Sequence, residues 1–67
     1  MKAISRLIES GMTRKQIALS IGVSEQAIGM VARDKRWMSQ PMFRSIVELA
    51  GKRGVELLAR DFLFDSK

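Results

Sequence analysis

Between residues 24 and 30 the chain carries Ser24, Glu25, Gln26, Gly29 and Met30, a set whose chemistry suits the edges of stacked bases. The Gln26 carboxamide offers a donor and an acceptor side by side, which matches adenine N6 and N7, and the Glu25 carboxylate accepts from cytosine N4. Ser24 can serve either a base or a phosphate. Met30 can touch a thymine methyl, although filling an irregular gap in a protein is the commoner use of methionine. Cationic and polar side chains flank the set on both sides, with Arg14, Lys15 and Gln16 before it and Arg33, Lys35 and Arg36 after it. Such groups suit phosphate oxygens, and contacts of that kind fix register without reading sequence.

Other chemistries find little support. The chain has no cysteine and no histidine, which removes disulfides, thiolate nucleophiles and the usual zinc ligand sets. There is no glycine-rich phosphate loop and no recognisable nucleophile and base, and the few carboxylates are scattered. The expectation is a non-enzyme with no cofactor, no metal and no small-molecule ligand. The formal net charge is +5. Residues 1–36 hold seven basic and three acidic groups, whereas residues 37–67 hold five and four, so the excess sits with the candidate contact residues. That placement favours a polyanionic partner.

These residues need elements to present them. Thr13 before Arg14, with Gln16 three residues into the segment, is a capping-box signature, so a helix is expected over about 14–21. Gly22 allows a left-handed exit at small cost. Ser24 can then cap a second helix over about 25–34, and Val23 before it can staple onto Ile28. Two helices joined so tightly cross with their backbones close, which asks for a small residue at the crossing, and Ala18 supplies it. Ile17, Ile21, Ile28 and Val31 form one apolar seam, with Ala27 and Ala32 beside it, leaving Glu25, Gln26, Gly29, Met30 and Arg33 outward. Glycine in mid-helix costs of the order of 1 kcal/mol relative to alanine, so Gly29 needs a reason. Close approach to a groove and crowding between helices both supply one.

The stretch 13–36 resembles the helix-turn-helix of the lambda-repressor and Cro family of phage and bacterial regulators. Gln16-Ile17-Ala18, Gly22-Val23-Ser24 and Gln26-Ala27-Ile28 match best. Arg14 departs from the family, which commonly has glutamine at that place, so arginine to phosphate replaces the glutamine contact there. The resemblance implies an all-α, lambda-repressor-like bundle of about five short helices forming one domain over 1–67. It further implies a homodimer on double-stranded DNA, with two copies of the helix at 25–34 about 34 Å apart, reading an inverted-repeat operator. A small repressor acting by occupancy, controlled by its own concentration, is the expected activity. A protein-interaction module of the same fold, of the antitoxin or anti-repressor type, is the alternative.

The remaining segments read as support. Ile4, Leu7 and Ile8 give residues 1–10 an apolar helical face ended by Gly11, and Met12 should pack under the next turn. Trp37 is expected to cap the small core, with packing on a sugar-phosphate backbone as the other use. Ser39, Gln40 and Pro41 open a helix whose apolar face is Met42, Phe43, Ile46, Val47, Leu49 and Ala50, ended by Gly51 or Gly54. Leu57, Leu58 and Phe62 repeat the helical period over 55–63. Phe62, Leu63 and Phe64 are either a dimer contact or a return onto the first helix, and a short strand is also open there. No apolar run reaches the roughly 20 residues that span a bilayer, so a cytoplasmic location is expected.

Overall fold

Side-chain caps set where the helices begin. A computed structural model of the chain describes residues 1–63, and in it α2 (Arg14–Ile21), α3 (Glu25–Ala32) and α4 (Gln40–Arg53) each start on a capping hydroxyl. Thr13 Oγ1 accepts from the Gln16 N–H at 3.1 Å while Gln16 Oε1 accepts from the Thr13 N–H at 2.9 Å, the expected reciprocal box. Ser24 Oγ accepts from the Ala27 N–H at 3.1 Å, and Ser39 Oγ from the Met42 N–H at 3.3 Å. A further helix, α1 (Lys2–Glu9), precedes these, and a 3-10 turn (Ala59–Phe62) follows them. The described residues form an all-α bundle.

Left-handed residues end the helices. Gly22 takes φ 77° after α2, and the Val23 N–H closes onto the Ala18 carbonyl at 3.1 Å. Gly54, at φ 71°, ends α4, and Gly51 lies inside that helix. The helix expected over 25–34 stops at Ala32, because Asp34 is left-handed at φ 60°. There the Asp34 N–H bonds the Val31 carbonyl at 3.1 Å and the Lys35 N–H bonds the Met30 carbonyl at 2.9 Å, a Schellman closure built without glycine. An L-residue in that conformation carries a steric cost, and a tertiary contact offsets it here. The buried Met1 α-amino group lies 3.1 Å from Asp34 Oδ1 and donates to the Ala32 carbonyl at 2.9 Å.

The core lies where α1, α2, α3 and α4 meet. Ile4, Leu7, Ile17, Ile28, Val31 and Ile46 are fully buried, with Ala18 at the α2–α3 crossing and Met12 beneath the first turn. Ile21 and Val23 pack against this cluster from its edge. Three expectations change. Ile8 is exposed, and the inward face of α1 is completed by Met1 and Ala3 instead. On α4 only Met42, Ile46 and Ala50 are buried, with Leu49 half-buried, so Phe43 and Val47 remain outside. Trp37 is 63% exposed and does not cap the core, because the chain has already turned outward at Asp34.

The C-terminal helix expected over 55–63 is absent. Residues 55–58 run without helix, and only the 3-10 turn Ala59–Phe62 forms. The cause is local competition for the backbone: the Asp61 carboxylate accepts from the Leu58 N–H at 2.8 Å, a side-chain bond that closes a turn in place of a helix. Asp61 also pairs with Arg6 Nε at 3.1 Å, fastening the turn to α1. Phe62 packs against Phe43 of α4 with ring centroids 4.6 Å apart at 63°, so it is held within the monomer. Leu63 is exposed, and Phe64 lies outside the described residues.

The Asp61 carboxyl is held below its ordinary value of 3.8, chiefly by the Leu58 N–H, with Arg6 acting in the same sense and burial opposing both. A carboxylate whose folded value is depressed stabilises the fold above its unfolded value, and that contribution disappears as pH falls through the folded one. Thermal midpoints measured from pH 6 downward should therefore fall below about pH 4, with a shallower fall in Asp61→Asn. An equally steep fall in the variant would place the acid sensitivity elsewhere.

Candidate nucleic-acid interface

The exposed side of α3 is an arc built by helical spacing. Gln26, Met30 and Arg33 recur at i, i+4 and i+7, with Gly29 between them, so they share one face opposite Ile28 and Val31. Gln26 and Glu25 are exposed and Met30 is half-buried at the rim of the arc. Ser24 is exposed, with one oxygen lone pair used by the Ala27 N–H, so its hydroxyl proton remains for an outside acceptor. Glu25 lies in the first turn, where its charge suits the helix dipole.

Gly29 departs from the expected outward position. It is buried, because the Arg33 side chain folds back across it: Arg33 Nε donates to the Gly29 carbonyl at 3.1 Å. A Cβ built on Gly29 would lie 3.1 Å from Arg33 Nη2, with no other contact within 4 Å outside the local backbone of α3. Crowding by another helix is not the reason for this glycine, since the neighbour its bare backbone accommodates is the head of Arg33. The bond uses only the Nε–H, so the Nη donors of this exposed arginine remain for a phosphate. The end of an arginine is flexible, so Gly29→Ala should displace it cheaply. The better helix former should then stabilise the fold by about 0.5–1 kcal/mol, roughly 4 °C in thermal midpoint. A fall in midpoint by the same amount would show that Arg33 cannot give way.

The remaining cationic groups lie to either side of the arc in sequence. Arg14 and Lys15 open α2, where they are exposed, and Gln16 beside them has its carboxamide oxygen committed to the capping box. Lys35 and Arg36 are exposed in the loop after α3, next to the exposed Trp37. α3 is itself carried by packing against both α2 and α1. The exposure of Trp37 is the feature that composition could not give, since tryptophan is usually largely buried. A basic neighbourhood on both sides of it, Lys35-Arg36 before and Arg44 soon after, was the available signal.

Among the described residues no group of histidine, cysteine, aspartate or glutamate side chains is placed to hold a metal ion, and no helix is long and apolar enough to cross a membrane. Comparison with protein families, with characterised proteins and with solved structures finds no match for this chain.

Proposed function

We propose that the chain is a sequence-specific double-stranded DNA-binding regulator of the lambda-repressor and Cro type, which represses by occupying an inverted-repeat operator as a homodimer. The observation that carries the reading is the arc on α3. A short helix on a capped turn sets exposed Gln26 and Arg33 and half-buried Met30 in line while Ile28 and Val31 on its other side are fully buried, and cations stand before and after it. That arrangement suits a helix lying in the major groove, which admits one helix and offers a distinct pattern at each base pair.

In this reading Gln26 reads adenine, Glu25 reads cytosine, and Ser24 and Met30 contribute at the margins. Arg14, Lys15, Lys35 and Arg36 hold phosphates, and Arg33 joins them through its Nη donors. Trp37, at the end of the basic loop, packs along the sugar-phosphate backbone. As the single tryptophan in the chain it reports binding through its own fluorescence.

Two substitutions test the assignment. Gln26→Ala should cost about 1–3 kcal/mol on the preferred site and little on random duplex, whereas Arg33→Ala should weaken both alike. Equal losses on both duplexes for Gln26→Ala would remove it from base reading.

A further inference from the structure

Two of the six apolar residues expected on the inward face of α4 are not used by the core. Phe43 is 43% exposed and Val47 is 45% exposed, one turn apart on the same side, while Met42, Ile46 and Ala50 fill the interior. Gly51 continues that exposed stripe by another turn, inside the helix, and nothing lies within 4 Å of where its Cβ would stand. Glycine in a helix interior is costly, and neither the fold nor a positive φ explains this one. Arg44 and Glu48 border the stripe along one flank, and neither makes an ion pair within the described residues.

These positions are self-complementary. α4 runs 14 residues from Gln40 to Arg53, so Val47 stands near its midpoint. Phe43 and Gly51 lie four residues to either side of Val47, a large side chain and a bare backbone at equal distances. If two copies of α4 are laid antiparallel about a two-fold axis through Val47, Phe43 comes level with the partner's Gly51, and the reverse holds across the axis. The same operation keeps the charged flanks on one side, which brings Arg44 against the partner's Glu48 twice over. A parallel pair would bring neither match, since its flanks would lie on opposite sides. An isologous contact needs the same patch to supply both knob and hole, and this stripe does.

We infer that α4 is the surface on which two copies of this chain associate, with Phe43 seated on the partner's Gly51 and Arg44 paired with the partner's Glu48. The interface rests on the homodimer of the reading above but moves it from Phe62-Leu63-Phe64 to α4. Phe62 contributes indirectly, by bracing Phe43 from the side. One helix pair is smaller than the roughly 800 Å² per partner of a standard interface, so the dimer belongs at micromolar concentrations and above.

Sedimentation of the full chain over about 1–500 µM tests the inference. Wild type should pass from monomer to dimer. Gly51→Leu should abolish the dimer while raising the thermal midpoint of the monomer, because leucine is the better helix former and meets open space there. Arg44→Glu and Glu48→Arg should each raise the dimer Kd about tenfold or more through like-charge contact, and the double reversal should return it to within about threefold of wild type. A wild type that stays monomeric throughout overturns the inference and leaves the stripe to a different protein. A dimer that survives Gly51→Leu and ignores the charge reversals overturns it too, placing the interface elsewhere. Binding to a duplex with a single half-site is measured in parallel. A wild type that stays monomeric yet binds the half-site counts against the α4 interface alone, and a wild type that dimerises through α4 but binds no duplex counts against the DNA reading alone.

Discussion

Raising salt from about 50 to 200 mM should weaken binding to duplex DNA by about 10²–10³ for each protomer engaged. Arg14, Lys15, Arg33, Lys35 and Arg36 are five cations, and each phosphate they neutralise adds about 0.9 to the slope of log affinity against log salt. The expected slope is therefore near −4.5 per protomer if all five engage, and about −3.6 if four of them do. Quenching or shift of Trp37 emission on titration with duplex DNA reads the affinity directly. Alanine at Lys35 or at Arg36 should each reduce the slope by about one. An apolar protein interface, the alternative use of this fold, should change little over the same range. A slope near zero would exclude the basic surface from any role in binding.

Ile28→Ala should remove most of the fold's stability. Ile28 is fully buried on α3, which packs against both α1 and α2, and truncating such a side chain costs about 2–5 kcal/mol. A domain of this size has roughly 3–10 kcal/mol in total, so the variant should unfold near or below room temperature at the lower end of that range. The loss has a functional reading as well, because the buried side of α3 carries the exposed arc. Urea unfolding followed by circular dichroism gives the change. A cost under about 1 kcal/mol would mean that α3 is held by something other than this core.

How much of this was legible from residue order divides by the range of the interactions. Thr13 with Gln16, Ser24, Ser39 and Gly22 act on backbone within a few residues, and each cap stands where local chemistry puts it. The seam of Ile17, Ile28 and Val31 was likewise readable from helical period. Features that depend on distant partners were not. Leu57, Leu58 and Phe62 have helical spacing, but Asp61 captures the Leu58 N–H and Arg6 of α1, and that pair decides a 3-10 turn. Asp34 looks like an ordinary last residue of a helix until the Met1 α-amino group is brought to it.

The contact residues divide in the same way. Gln26 and Met30 stand on the outward face that period alone assigns them, whereas Gly29 and Arg33 form a pair that spacing could suggest only in retrospect. Trp37 shows the limit of composition. A residue type that is usually buried lies exposed because the left-handed turn at Asp34 sends the chain out before it can return. Phe43 and Val47 share the apolar period of α4 and yet stay outside, because a helix face has no sharp edge in sequence. The bundle is narrow enough that only Met42, Ile46 and Ala50 reach its interior.

The most direct test of the central claim is selection from a randomised duplex library at about physiological salt, with sequencing of the DNA that the protein retains. Enrichment of an inverted repeat whose half-sites lie roughly one helical turn apart is the predicted result, and adenine in each half-site should lose its enrichment in Gln26→Ala. A library that returns no enriched sequence, from protein shown to be folded, would contradict the account.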